Sequence, residues 1–536
     1  MSGFVTNPME HAEASKIAIY SVASYAWNPQ KYNSEKTWKD AIMNNSTTSQ
    51  AYNLNVTGGG RVAQYFVSLG YYSENGLFKT SDANSYNTNF KYNRYLITSK
   101  VNINVTDEFK VSMSLMGRIE EGNQPGGISG TGYSDLLSNV WQTPNNAYPV
   151  LNPNGTYGGN ASYTQNLYAQ TTGSGYISSN TRDVVGTINL KYDFDKLVRG
   201  LSVGATGNIS SQVRNAIVRT KQAQVFQYSI TQQGNEAYDK YGDVSSQTNS
   251  YRSVSTYQYM YGKMYVDWER QFGMHGVKAS LWGDTRTILN NYDLPMIPSN
   301  IGQKVEYNYD NKYFAQAAVT ESYYNRYDNG RRWGTFWAVG LGWDISKEKF
   351  MENVKFIDDL KITASYANLH QDLDITDYYL YKGTFSKRTN EGFYVQWHDG
   401  TAGGWTPASK RGDNPNLGFI TREEFRAGID ATLFNRLLKI NANYFRQDTK
   451  GLLTQGSSSI YPSYFALSSN STFMPWINYN EDRRSGFDFA LSANKKFGDF
   501  DVTLGFNGMV YSSEALKRDE LYDEDYQYRK GRALDA

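Results

Sequence analysis

No cysteine occurs among the 536 residues, which excludes disulfides and thiolate metal sites. Histidine is nearly absent. His11, His275, His370 and His398 lie far apart, none in an H-E-x-x-H pair, and each reads as an ordinary surface or turn residue. No stretch reaches the ~18 to 20 apolar residues that a membrane-spanning helix needs. Neither sign of charge is in excess. Lys and Arg number 53 against 52 Asp and Glu, net +1, so nothing draws the chain to nucleic acid. The start, MSGFVTNPMEHAEASKIAIY, lacks the basic region, apolar run and cleavage site of a signal peptide. Read literally it keeps the chain in the cytoplasm; the alternative is that the true start lies upstream. No G-x-S-x-G and no P-loop occur. The clusters GGG at 58–60 and GGISGTG at 126–132 have no Lys or helix for phosphate work and read as turn and loop. Asp372, Asp374 and Asp377, and the acidic run from Asp519 to Asp525, do not have EF-hand spacing, so a solvated acidic loop is preferred to calcium. No catalytic, cofactor or metal set is identified, and no enzyme is expected.

What is abundant is aromatic. Phe, Trp and Tyr make up 15% of the chain, with 45 Tyr, 25 Phe and 11 Trp. Tyr and Trp have apolar bodies and polar tips, which suits a boundary between oil and water. A second feature is strict alternation. Lys100 to Thr106, Lys110 to Leu115, Thr187 to Tyr192, Lys439 to Tyr444 and Asp501 to Asn507 each alternate polar and apolar. Side chains two apart share a strand face, so each segment has one oily and one wet side.

Roughly 16 candidate strands emerge from this period. They include 51–57, 62–72, 90–105, 109–119, 182–194, 200–213, 256–271, 438–448, 484–497 and 500–512. Most short turns sit inside successive pairs, as at 58–61, 106–108, 273–275, 310–312, 435–438 and 498–499. Long connections sit between pairs, at 120–181, 214–255, 369–422 and 449–483. One slot on the short side, from Ile345 to Leu360, is expected to hold a small helical turn capped by Ser346. An up-and-down meander with its long loops at one end is the pattern of a transmembrane β-barrel. A Greek-key sandwich lacks it. Tyr71-Tyr72, Tyr323-Tyr324, Trp333, Phe336-Trp337 and Trp343 fall at strand ends, where interfacial girdles are expected. The competing reading is a soluble or surface-attached β-rich adhesin or glycan-binding protein whose apolar faces meet in a core.

Several segments resemble the SusC/RagA family of TonB-linked outer-membrane transporters, of the Bacteroidetes type. Residues 38–79 resemble the start of the family's barrel. Tyr309 to Val319, Arg331 to Met351 and Ile357 to Ala367 are similar to its N-D-K-Y strand, its R-W-G-x-F hairpin strand and its L-K-L-R-x-S-Y-G strand. Asp413 to Leu417 and Asn443 to Leu453 match N-P-x-L and Y-x-K-D-T-x-D-L-L stretches, and Gly486 to Phe506 a later hairpin. Two departures, Thr320 to Tyr324 and Ser365 to Gln371, lie where strands run into outer loops. They bear on ligand specificity rather than fold.

The resemblance implies an all-β, antiparallel, up-and-down transmembrane barrel, here incomplete, with about 16 of about 22 strands. Residues 1–50 would link a missing plug to the barrel, and 51–536 would be the partial barrel. No plug and no TonB box are found, so the chain is expected to be an internal fragment. The implied function is TonB-dependent import of oligomeric nutrients across a Gram-negative outer membrane, glycan fragments first and oligopeptides second. Implied partners are a SusD-type surface lipoprotein, the TonB complex, outer-membrane lipid and the oligomeric ligand. A passive porin would need a plug-free lumen.

Two sets of residues follow. Val101, Ile103, Val105, Val111, Met113 and Leu115 are expected to face lipid, and Asn102, Asn104, Ser112 and Ser114 the lumen. An Arg at Ile103 is expected to cost about 2 to 4 kcal/mol at the bilayer midplane, and an Arg at Asn104 to be mild. Among loop aromatics, Tyr394, Trp397, His398 and Trp405 stand on a glycine-rich frame suited to ligand or lid contact. Tyr148, Tyr157, Tyr163, Tyr168, Tyr461, Tyr464 and Trp476 lie in two further loops. For any one of these rings, packing within the loops is the stronger reading.

Overall fold

The computed structural model describes residues 37–535 except 83, 85, 127–132, 292, 371–374, 376, 387–393, 396–403, 406, 456–459, 463–464 and 466–471. Its main body is one antiparallel sheet of 16 strands, each paired with its neighbours in sequence. They are β1 (Ser49–Gly59), β2 (Ala63–Asn75), β3 (Lys91–Asn104), β4 (Phe109–Pro125), β5 (Gly175–Asp193), β6 (Leu201–Thr220), β7 (Thr248–Phe272) and β8 (His275–Asn290). There follow β9 (Pro298–Tyr309), β10 (Tyr313–Tyr324), β11 (Trp333–Asp344), β12 (Ile357–His370), β13 (Thr421–Leu433), β14 (Leu438–Gln455), β15 (Trp476–Phe497) and β16 (Phe500–Lys517). The fold is the expected all-β up-and-down meander of the barrel type. Within the described residues β1 and β16 are its two ends, each with one ladder partner. No helix among the described residues is long and apolar enough to cross a membrane, which says nothing of crossing by strands.

Seven of the eight odd-to-even connections are turns of seven residues or fewer, the β11–β12 connection takes twelve, and all lie at one end of the sheet. Phe497 and Phe500 pair across a two-residue loop in which Gly498 takes φ 60°, the left-handed conformation such a hairpin turn needs. Between β11 and β12 lie two 3-10 turns, Ile345–Lys347 and Lys349–Met351. The expected cap is not made. Ser346 sits inside the first turn and donates its hydroxyl to Asp344 at 2.5 Å and to Asp359 at 3.1 Å.

At the other end the strands outrun the sequence pattern. β5 begins at 175 rather than 182, β6 ends at 220 rather than 213, and β14 ends at 455 rather than 448. The ladders continue there while the oily side stops, so the periodicity fades before the hydrogen bonding does.

The loops at that end have their own cores. Trp38, Ile42, Phe78, Leu136, Tyr148 and Leu167 are buried together. They join α1 (Trp38–Ile42), α2 (Tyr133–Gln142) and α3 (Leu167–Gly173). The stretch 37–48, expected as linker, instead carries a capped helix in this core. Thr37 and Asp40 form a capping box, the hydroxyl of Thr37 donating to the Asp40 carboxylate at 2.7 Å. The Trp38 indole donates to the Pro144 carbonyl at 3.0 Å. A second core gathers Met296, Tyr324, Tyr327, Ile375, Leu417 and Ile420.

Candidate functional site

Strand register decides which side chains can act together, because directly opposed residues share a face. Val101 is opposite Met113, and Ile103 opposite Val111; Leu115 is opposite Ser99 on the same side. The lane runs on: Met113 opposes Ile188, Ile209 opposes Met260, and Val319 opposes Trp337. Leu115, Ile209 and Leu341 are 51%, 62% and 67% exposed, so this face meets no protein core. Val105 departs from expectation. It lies past the end of β3, in the turn, where its N–H donates to the Phe109 carbonyl at 2.9 Å.

The opposite face is a lattice of short polar contacts. Ser112 donates to Asn102 at 2.8 Å, Thr206 to Asn189 at 2.9 Å, and Asn208 to Thr187 at 2.7 Å. Farther round, Ser322 donates to Asn300 at 2.8 Å and Asn300 to Asp284 at 3.2 Å. Arg118 pairs with Asp183, and Arg426 with Asp488 at 2.6 Å, where Asn443 also donates at 2.7 Å. Of the expected residues, Asn102, Ser112 and Ser114 lie on this wall. Asn104 is on the same face but tied down, its amide donating to the Arg61 carbonyl at 2.8 Å. Other cations on this wall lie over rings instead, Lys263 over Tyr265 and Trp282 and Lys361 over Phe314. The wall offers amides and hydroxyls to a polar solute.

Aromatic rings bracket the apolar face. Tyr52, Tyr71 and Tyr95 form a row near the long-loop end, the first pair stacked and the second tilted, with centroids 6.2 and 5.2 Å apart. Near the short-turn end Tyr313 stacks on Trp343 at 6.4 Å, and both donate to Glu348, at 2.6 and 3.2 Å. Those two bonds hold the Glu348 carboxyl below its usual pKa, the Tyr313 hydroxyl being the larger cause. Half of each expected aromatic doublet is wrong. Tyr72 lies on the polar face and donates to Glu74 at 2.9 Å. Tyr324 is buried in a loop core, and Phe336 packs against His370 at 4.5 Å. Adjacent residues on a strand point to opposite faces, so only one of each doublet can join a girdle.

The candidate loop contacts fare unevenly. Tyr394 and Trp405 are paired across a two-residue ladder, whereas Trp397 and His398 lie outside the described residues. Tyr148 is 7% exposed, between Trp38 at 4.8 Å and Tyr163 at 5.5 Å. Burial pushes its hydroxyl pKa up, while the Leu167 N–H donating to it at 3.3 Å pulls the other way. Tyr157 and Tyr168 pack together at 6.5 Å, and Trp476 packs on the second loop core. Tyr464 lies outside the described residues. The loop core around Trp38 escaped sequence reading. Thr37-x-x-Asp40, three residues apart before an apolar pair, is the capping signal that marks its helix.

A family model described as beta-N-acetylglucosaminidase matches residues 1–56. Only 37–56 of that stretch are described, holding α1 and the start of β1. The receptor SusC of Bacteroides thetaiotaomicron is 23% identical, over 92% of this chain and 50% of its own length. TonB-dependent receptor P3 of Formosa agariphila is 24% identical, over 97% of this chain and 50% of its own. TonB-dependent receptor P39 of the same organism is 29% identical over 42% of this chain and 20% of its own. The chain thus spans about half the length of the first two. Among solved structures, the RagAB peptide importer in its closed-closed state superposes with a TM-score of 0.68 at 14% identity, over 97% of this chain and 58% of that one. That likeness is one of fold. The relatives aligned with most of the chain are receptors, not enzymes.

Proposed function

The chain is a relative of the SusC/RagA-type TonB-dependent receptors, and we propose that it forms barrel wall in an importer of oligomeric nutrients, glycan fragments foremost, at the Gram-negative outer membrane. The observation that carries this is the division of one meander into a continuous exposed apolar face and a continuous hydrogen-bonded polar face. In hydrocarbon every backbone group must be bonded, and the ladders do that for all strands but the two at the ends. In this reading Val101, Ile103, Val111, Met113 and Leu115 meet lipid, and Asn102, Ser112 and Ser114 line the bore. Residues 49–535 belong to the wall and its loops.

Import driven through TonB and capture by a SusD-type lipoprotein complete the reading, with Tyr394, Trp397, His398 and Trp405 as ligand or lid contacts. The amides and hydroxyls of the polar face, as at Asn102, Ser112, Asn189 and Asn208, support a hydroxyl-rich solute. Oligopeptides are the second substrate class. The test is uptake of fluorescent oligosaccharides by cells carrying or lacking the gene. Expected is saturable uptake that disappears on deletion and on collapse of the proton gradient. Uptake that survives both defeats the importer reading. Oligopeptide uptake alone would replace glycan with peptide. Trp405→Ala should lower uptake severalfold while leaving protein level unchanged.

A further inference from the structure

Near the short turns, the ladder positions of the apolar face hold two charged side chains among the described residues, Arg270 in β7 and Lys495 in β15. Register places both. Arg270 opposes Val277, with Trp268 and Phe272 two steps away on the same face. Lys495 opposes Val502, with Phe497 two steps on. Each stands two residues before the end of its strand. At ~3.3 Å per residue and a tilt of ~40°, that is about 5 Å of height above the turn. Each also lies over the ring on its turn side. The Arg270 guanidinium is 5.0 Å from the Phe272 centroid, and the Lys495 ammonium 5.3 Å from that of Phe497. Both cations therefore lean from the oily face towards water, at the depth of lipid headgroups.

No carboxylate answers Arg270. It is exposed and forms no ion pair among the described residues. Its neighbour Glu269 points to the polar face, where it takes Lys278 at 3.7 Å. The β5–β6 turn packs against the same strand end, the Glu269 N–H donating to the Gly200 carbonyl at 3.0 Å. That contact brings Arg199, exposed and likewise without an ion pair among the described residues, to the side of Arg270. The acids of the adjoining turns are engaged elsewhere. Asp195 accepts from the Gly200 N–H at 2.7 Å, and Glu108 is paired with Lys196. Like charges side by side on a sheet are destabilising. An anion between them reverses the sign.

We propose that Arg270 and Arg199 hold the phosphate of an anionic glycerophospholipid, of the phosphatidylglycerol class, in the leaflet on the short-turn side. A guanidinium presents a planar fork of N–H donors that fits two phosphate oxygens at once. Phe272 keeps the Arg270 fork in place from one side. The acyl chains run from there along Val277 and Leu281, on the same face of β8. The charge faces the same way as the apolar side chains, so the anion that reaches it is one joined to hydrocarbon. Lys495 has one point charge and no second cation with which to share a phosphate, which makes it the weaker position. The proposal rests on the reading of this face as lipid-facing and adds a headgroup and a leaflet to it.

Because the chain has no cysteine, one introduced thiol carries one fluorescent label. Leu281→Cys reports on the proposed site, and Ile97→Cys, in β3 on the same face, serves as reference; the native side chains are 54% and 46% exposed. The full chain is inserted in phosphatidylcholine vesicles, and quenching is measured with phosphatidylglycerol or phosphatidylcholine carrying a nitroxide on the acyl chain. At 281 phosphatidylglycerol should be preferred about fivefold, and at 97 neither lipid. Arg270→Gln should bring the preference to about one, Arg199→Gln should about halve it, and Arg270→Lys should keep most of it. Quenching by phosphatidylcholine shows that each variant is inserted. Equal quenching by the two lipids at 281, or a preference that survives Arg270→Gln and Arg199→Gln together, overturns the site alone. Loss of the preference with inorganic phosphate but not with chloride of equal ionic strength overturns it too, since the ligand is then a free anion. Absence of quenching by either lipid at both positions defeats the lipid-facing wall, and the site with it.

Discussion

Ser112 donates to Asn102 across the β3–β4 ladder at 2.8 Å, while Val101 and Met113, each one step along, oppose one another on the other face. This two-sidedness gives the first prediction. Leu115 lies well inside β4, whereas Ile103 is next to the end of β3. Leu115→Arg should cost about 2 to 4 kcal/mol of stability in lipid vesicles, and Ile103→Arg about 1 kcal/mol or less, since the cost falls towards the interface. Ser114→Arg, on the polar face, should be mild. Urea unfolding of the vesicle-inserted protein measures all three, and equal costs at 114 and 115 would refute the facing.

Trp333 and Trp343 share the apolar face of β11, ten residues apart. At ~3.3 Å per residue and a tilt of ~40°, they bracket about 25 Å of height, the thickness of an outer-membrane apolar band. Brominated lipids should therefore quench both indoles least when bromine sits at the acyl chain ends. Strongest quenching from that depth would remove the girdle assignment.

β1 and β16 each leave one edge without a ladder partner among the described residues. Free edges recruit strands. Without detergent or lipid, the purified chain should self-associate, and Asn55→Pro in β1 should slow this by blunting one edge. Light scattering reads the rate. A monodisperse monomer free of detergent would count against a lipid-facing surface.

Trp38 is 3% exposed in the loop core and tied to Pro144. Trp38→Ala should cost that core about 3 to 5 kcal/mol. Limited proteolysis should then cut in 76–90 and 126–174 while the ladder keeps its β-sheet circular dichroism.

The Thr37 hydroxyl bonded to Asp40 holds that carboxyl below its usual pKa. A lowered carboxyl stabilises the fold above its unfolded value, near 4, and loses that contribution as pH falls through the folded value. Protection of residues 37–48 from protease should thus hold from neutrality to about pH 5 and decline below about pH 4. Asp40→Asn should flatten that decline.

Period-2 alternation by itself determined the strands of the main sheet, their order and the two-sidedness of their middles, because pleating forces neighbours to opposite sides whatever the surroundings. That is why Lys100 to Thr106 and Lys110 to Leu115 were legible as two-sided strands. Where both faces leave the oil, as in 448–455 and 476–483, the pattern vanished although the ladder continues. Only tertiary structure decided which of Tyr71 and Tyr72 joins the girdle, that Asn104 serves a turn, and that Tyr148 is loop core. It alone brought the 126–174 and 221–247 connections together over one cleft. Loop contacts join residues far apart in sequence through burial and irregular backbone, and no short-range period records them.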